Sequence, residues 1–192
     1  MNPEVSAVIE ELYQAALEPE TWSAALAGMT GLLRSDQAML TVNKTEDKAP
    51  PLVAATGMSG TDVARFASPE AMSLFAPYLN SYMSTVPPGT ATVQERIFAD
   101  DVFERSGFYN EIIRPAKMFY GTGVFHYSPN LALSISVCRP RTQGHFTPDE
   151  GRTFEQLFAH LKRAIMLHQR LRISDDRATG LSGIIELSLI HI

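Results

Sequence analysis

The sequence predicts an α+β fold: a small antiparallel sheet flanked by helices, with helices at the N-terminus and one long helix near the C-terminus. Three observations predict it. Leu131, Leu133, Ile135 and Val137 alternate strictly with Ala132, Ser134, Ser136 and Cys138, the period of two that a half-buried strand requires. Val5, Val8, Ile9, Leu12 and Ala16 recur at spacings of three and four, which places them on one face of a helix. Phe154, Leu157, Leu161, Ala164 and Leu171 keep a heptad-like spacing, with His168 at the remaining core position and Phe158 and Ile165 widening the stripe.

In chain order, the first helix ends where Pro19 interrupts its pattern. A second begins with Pro19 and Glu20 in its first turn, where proline and an acid are tolerated. It carries Trp22, Ala25, Leu26, Met29, Leu32 and Leu33, and Ser35 and Asp36 close it. Gln37 to Asn43 alternates as a strand, and a second strand near Leu52 to Thr56 completes a hairpin across the charged loop KTEDKAPP. Ser68-Pro69-Glu70 starts a helix, with a capping hydroxyl, proline at the first position and an acid beside the dipole. Met72, Phe75, Leu79 and Met83 follow at helical spacing, and Pro77 bends or shortens that helix. VPPGT (86–90) is a loop, Val93 to Phe98 reads as a short strand, and Asp101 and Glu104 flank a short helix. Phe108 to Arg114 forms a helical turn or two, ended by Pro115. Met118 to Tyr127 is the expected partner of the alternating strand through Ser128-Pro129-Asn130, and Gly121 and Gly123 within it predict a bulge or a close approach. Thr147-Pro148-Asp149-Glu150 is a capping box opening the long helix, expected to run to about Ile173.

The 192 residues suffice for one domain with helical extensions, and 45% apolar against 19% charged residues allows a packed core. A net charge of −5 argues against nucleic-acid or anionic-membrane contact through this segment. The single cysteine, Cys138, excludes an internal disulfide and a thiolate metal site. The N-terminus has no signal-peptide pattern, and no stretch of about 18 apolar residues exists to span a membrane. A cytoplasmic location is the expectation, with no membrane partner.

Chemistry-bearing motifs are absent: there is no GxSxG, HExxH, P-loop or GxGxxG pattern. His160 and His168, eight apart on one helix, suit neither a metal pair nor a dyad; His126, His145 and His191 have no partner pattern either. The acid pairs Asp100-Asp101, Asp149-Glu150 and Asp175-Asp176 lie at expected helix ends, where capping explains them. Arg139 beside Cys138 would lower a thiol pKa, yet the cysteine follows its strand's alternation, which favours a structural role. Lys162, Arg163, Arg170 and Arg172 read as the solvated face of the long helix. No catalytic residue, metal or cofactor is expected.

The aromatics carry the functional interest. Tyr78, Tyr82, Phe98, Phe108, Tyr109, Phe119, Tyr120, Phe125 and Tyr127 concentrate in the central segment. They suit either an ordinary aromatic core or a small-molecule pocket between sheet and helices. The candidate ligand-binding set is Tyr78, Tyr82, Phe108, Tyr109, Tyr120 and Phe125. The candidate dimer seam is Phe154, Leu157, Leu161, Ala164, His168 and Leu171.

Four stretches, LYQAALEPETWSAAL, PPGT, FYNEIIRPAKMFYGTG and RPRTQGHFTPDEGRTFEQLFAHLKRAIMLHQRLR, together resemble the N-terminal regions of LuxR-type bacterial transcription regulators over most of residues 8 to 173. The resemblance implies a GAF- or PAS-like sensory domain followed by a helix-turn-helix, with DRATGLSGIIE leading toward the next segment. No helix-turn-helix is present, and the tryptophan, tyrosine and aspartate pattern of acyl-homoserine-lactone sensors is not found, so that ligand is not carried over. Residues 187–192, LSLIHI, look like a translated transposon end from sequencing-library preparation, the alternative being a genuine apolar strand. The expected organisation is therefore a sensory and dimerisation domain over 1–173, a linker over 174–186, an artefact over 187–192, and a natural chain continuing past about Glu186. The expected function is a regulatory input domain, homodimeric, that senses a small molecule or partner and reaches DNA through a domain absent from this chain. The rivals are a ligand-free dimerisation module and an enzyme using Cys138 or the histidines.

Overall fold

The computed structural model describes residues 2–43, 52–87, 89–128 and 131–189. Its centre is a five-stranded antiparallel sheet in the order β2-β1-β5-β4-β3, formed by β1 (Gln37–Asn43), β2 (Leu52–Thr56), β3 (Thr92–Val93), β4 (Tyr120–Ser128) and β5 (Leu131–Arg139). The hairpins β1–β2 and β4–β5 fall where alternation and turn residues place them. The β1–β5 pairing joins them, with Leu40 opposite Ile135 and Val42 opposite Leu133.

One face of the sheet is packed solid. It carries α1 (Pro3–Leu17), α2 (Trp22–Leu32) and α7 (Pro148–Leu189). The Asn2 side chain caps α1 by accepting the Glu4 N–H at 3.0 Å, and Pro3 sits in the first turn. A single 3₁₀ turn at Pro19–Thr21 links α1 to α2. Helix α2 ends with Arg34 at φ 47°, a left-handed residue, while the Ser35 N–H donates to Thr30 O at 2.9 Å, closing the last turn as a Schellman end does. Leu12, Leu26, Met29 and Leu33 from these helices meet Leu40, Leu133, Ile135 and Val137 from the sheet, all with zero exposure. Each such side chain contributes about 1.5–3 kcal/mol by leaving water.

The capping box of α7 forms as expected: Thr147 N–H donates to Glu150 at 2.6 Å, and Glu150 N–H donates to Thr147 Oγ1 at 3.2 Å. The helix itself continues to Leu189 rather than ending near Ile173. No proline follows Pro148 to break it. Asp175 and Asp176 therefore lie within a helix and not at its end. His191 and residues 190–192 fall outside the described residues.

The apolar stripe of α7 faces inward. Phe154, Leu157, Leu161 and Ala164 are fully buried and His168 is 4% exposed, packed beside α1 and the sheet, with His168 edge-on to Trp22 at 6.2 Å. This corrects the dimer-seam expectation for these five residues: α1 of the same chain occupies the stripe. Leu171, 36% exposed, is the one member at the surface.

The second face of the sheet is covered by short helices: α3 (Gly60–Phe66), α4 (Pro69–Met83), α5 (Gln94–Ile97), α6 (Asp100–Arg105) and a π-helical turn at Phe108–Ile113. Helix α4 begins at the expected cap, the Ala71 N–H donating to Ser68 Oγ at 3.1 Å, and it continues through Pro77. Val93 to Phe98 is not a strand beyond Val93. The chain turns at Gln94, where the Phe98 N–H donates to Gln94 O at 2.8 Å, and this turn delivers Phe98 into an aromatic cluster with Phe75, Tyr78 and Phe103.

Candidate ligand cavity

A cavity of about 250 Å³ lies between the second face of the sheet and this helical cover. The strand register dictates its floor. On β5, Leu133, Ile135 and Val137 point to α1, α2 and α7, so the intervening Ala132, Ser134, Ser136 and Cys138 point the other way. Their neighbours on β1 are Met39, Thr41 and Asn43, and on β4 Gly121, Gly123 and Phe125. All of these line the cavity. The β4–β5 register is unbroken from Tyr120 to Ser128, so the glycines make no bulge. A Cβ at Gly123 would lie 3.1 Å from Ile135 O, and one at Gly121 3.6 Å from Cys138 Sγ. Close approach is the reading that stands: their missing side chains make the space above the floor.

The roof is aromatic. Phe75 of α4 stacks on Phe108 at 4.7 Å and lies 6.3 Å from Phe98 and 6.2 Å from Phe125. Phe66, Phe103 and Phe119 complete it, with Met72 and Met118 filling gaps. Among the lining residues, Asn43 and Ala67 are exposed and Met72 is 51% exposed, which marks the mouth between the end of β1 and the start of α4.

Among the described residues the lining contains no aspartate, glutamate, lysine, arginine or histidine. The titratable group among them is Cys138, whose thiol burial pushes up to about 12. Arg139 does not activate it, because the two alternate across the strand. The Arg139 guanidinium is buried on the other side, paired with Glu150 at 3.0 Å, bonded to Gly144 O at 2.9 Å and to His145 O, and stacked on Phe146 at 3.9 Å. Burial acts to raise the Glu150 pKa, but hydrogen bonds from Arg139 and Thr147 and the Arg139 charge outweigh it, and the net shift is downward. The histidines serve elsewhere. His160 contacts Tyr13 at 3.4 Å, and His145 lies 4.1 Å from the Tyr120 ring. His126 has its pKa lowered by burial and by the Lys162 charge. Among the described residues no group of three or more His, Cys, Asp or Glu is placed to hold a metal.

Of the candidate ligand-binding residues, Phe108 and Phe125 line the cavity. Tyr109 packs behind the roof on Phe103 and Phe119 at 5.0 and 5.6 Å. Tyr120 points away and donates to Asp100 at 3.3 Å. Tyr78 lies over Phe98 at 4.3 Å with its ring partly in solvent. The Tyr82 side chain lies outside the described residues. The floor residues Ser134, Ser136, Gly121 and Gly123 and the wall residue Gln94 were not singled out for a site; serines and glycines confined to one face of adjacent strands are the signal that points to them.

This arrangement is a five-stranded antiparallel sheet with a helical layer on one face and an aromatic-roofed cavity on the other. It is the fold of the ligand-binding domains of LuxR-family regulators. The N-acylhomoserine lactone dependent LuxR family transcription factor CepR2 from Burkholderia cenocepacia superposes with a TM-score of 0.57 at 14% identity, over 88% of this chain and 98% of that one. The VqsR ligand-binding domain from Pseudomonas aeruginosa gives 0.60 at 15% identity, over 84% and 96%. Escherichia coli SdiA gives 0.54 at 18% identity, over 80% of this chain and 61% of SdiA. At these identities the likeness establishes the fold. No protein-family profile matches the sequence, and no curated protein does. No helix among the described residues is long and apolar enough to cross a membrane.

Proposed function

We propose that this chain is the regulatory input domain of a LuxR-type transcription regulator, binding a small molecule in the cavity and passing the signal along α7 to a DNA-binding helix-turn-helix outside this chain. The observation that carries the reading is the cavity itself: enclosed by apolar groups, floored by small residues, and free of charged side chains among the described residues. Such a lining suits binding rather than catalysis, since no general base or activated nucleophile among the described residues reaches it. A ligand there biases the packing of α3, α4 and the π-helical turn, which rest on the same sheet that α7 backs. The likeness to regulator ligand-binding domains supports the role. The domain acts over residues 1–173, as a homodimer in the cytoplasm. Its seam involves exposed Met166 and Leu171 and the helix beyond them, not the stripe held by α1.

Native mass spectrometry of the protein purified from cells tests this. The expected spectrum shows a dimer carrying an uncharged small molecule that organic extraction releases. A ligand-free module is the second reading, and the cavity's size favours it, about 250 Å³ lying just under the usual pocket range of roughly 300–1,000 Å³. An empty protein that stays empty with added hydrophobic extracts selects that module.

A further inference from the structure

The short edge strand β3 is where the two sides of the sheet meet. It has two residues, Thr92–Val93, against nine each in β4 and β5. Thr92 and the following turn residue Gln94 both belong to the cavity lining. Thr92 is buried, and its Oγ1 donates to Gly123 O at 2.8 Å, so β3 is registered on a floor glycine. Ala91, just before the strand, lies outside the β3–β4 register. Its buried N–H donates instead to Glu155 Oε1 on α7 at 2.9 Å. The turn leading into it is closed by the Thr90 N–H donating to Pro87 O at 3.2 Å. That turn passes over Phe158 of the same helix: a Cβ on Gly89, at φ 83°, would lie 3.8 Å from Phe158 Cε1. The stretch Ala91 to Gln94 is therefore held by α7 at one end and lines the cavity at the other.

Resting on the binding reading above, we infer that the Glu155–Ala91 hydrogen bond couples the cavity to α7. A strand with so few ladder bonds is the part of the sheet that yields most easily. An occupant that presses on Thr92 or Gln94 displaces β3, and the Ala91 N–H moves with it. A hydrogen bond weakens steeply as it bends and lengthens, so Glu155 follows the strand or releases it. Either outcome changes what holds α7 beside the sheet. By linkage the contact works in both directions, and a change in how α7 grips β3 alters the affinity of the cavity. Glu155 is absent from the cavity lining and acts as a positioning residue, through the backbone of Ala91.

The test uses the full chain and two variants. Glu155→Ala deletes the acceptor at an exposed helical position, where alanine suits the helix, and Glu155→Gln keeps an acceptor oxygen. Amide hydrogen exchange read by NMR comes first. The Ala91 N–H is expected to exchange about three- to tenfold faster in Glu155→Ala, the worth of one net hydrogen bond. The Ile135 N–H in the packed layer stays unchanged, and Glu155→Gln stays close to the parent. The ¹³C-methyl signals of Met39, which lines the cavity, and Met166, exposed on α7, are then followed during titration with 2-acetylnaphthalene. In the parent both shift with one midpoint. In Glu155→Ala, Met39 still shifts while the Met166 response falls to less than half, and Glu155→Gln restores it. Equal Ala91 exchange in the parent and Glu155→Ala, a silent Met166 in the parent, or an undiminished Met166 response in Glu155→Ala overturns the coupling and leaves the binding reading standing. No shift at Met39 in the parent removes the binding reading and the coupling with it.

Discussion

The two faces of the sheet are built from the same strands and do opposite things. On the helix-backed face, Leu40, Leu133, Ile135 and Val137 meet α1, α2 and α7 with no exposed surface. On the other face, the alternate residues of the same strands are Ser134, Ser136, Gly121 and Gly123, and a cavity remains above them. One residue of offset along β5 thus separates the packed core from the cavity. A strand can be tuned on its cavity face at little cost to folding, because the neighbouring residue on the packed face holds it in place.

The largest effect expected from breaking this contrast is on the packed face. Ile135→Ala or Leu161→Ala is expected to cost about 2–5 kcal/mol, the range for emptying a fully buried aliphatic site. Ser136→Ala, one residue along the same strand from Ile135, is expected to stay within about 0.5 kcal/mol. Urea unfolding of the variants measures both, and a similar loss for Ser136→Ala would erase the distinction between the faces.

The Arg139–Glu150 pair ties β5 to the start of α7, and its removal ranks next. Arg139→Met leaves Glu150 without its partner and is expected to cost about 3 kcal/mol, the low end of that range because the Glu150 side chain is 15% exposed. The same pair sets an acid limit. The folded-state pKa of Glu150 lies below the ordinary 4.5, so its contribution is complete above that value and is lost as pH falls through the folded-state pKa. Glu150→Gln should therefore be less stable than the parent at neutral pH, with the gap narrowing in acid. A gap that widens as pH falls would reverse the sign and refute the linkage.

The smallest effects sharpen the comparison within the floor. Gly123→Ala places a Cβ 3.1 Å from Ile135 O and is expected to cost about 1 kcal/mol through backbone displacement. Gly121→Ala meets nothing nearer than 3.6 Å and is expected to leave stability within about 0.5 kcal/mol while weakening the binding of a small neutral aromatic such as 2-acetylnaphthalene. Thermal melts with and without 2-acetylnaphthalene separate the two, and equal melting losses would contradict the register-based geometry.

Much of the fold was legible because its signals are local. The bounds of β1 and β2, the Ser68 cap, the capping box at Thr147 and the β4–β5 hairpin all follow from alternation, turn residues and capping chemistry. Helix α3 was not anticipated: it is one short stretch held by a Ser59 cap on Asp62 and the Asp62–Arg65 ion pair at 2.8 Å, too brief for periodicity to register. The turn at Gln94 depends on where Phe98 finds its aromatic neighbours, which is tertiary information. The α7 stripe shows the same boundary. Heptad spacing reports that a helix face is buried, and it does not say whether α1 or a second copy covers it. The cavity was half visible. Phe108 and Phe125 belong to the aromatic set read from the sequence, but Ser134 and Ser136 alternate with aliphatics just as residues facing water do. Only the helices folded over that face turn them into a floor.

Protein-observed NMR of ¹³C-methyl methionine during titration with 2-acetylnaphthalene tests the central claim most directly. Met39, Met72 and Met118 line the cavity, whereas Met29 sits in the packed layer with zero exposure. Saturable shifts of the first three with Met29 silent are the expected outcome. No saturable shift at any methionine, or shifts centred on Met29, would contradict a binding cavity on the second face.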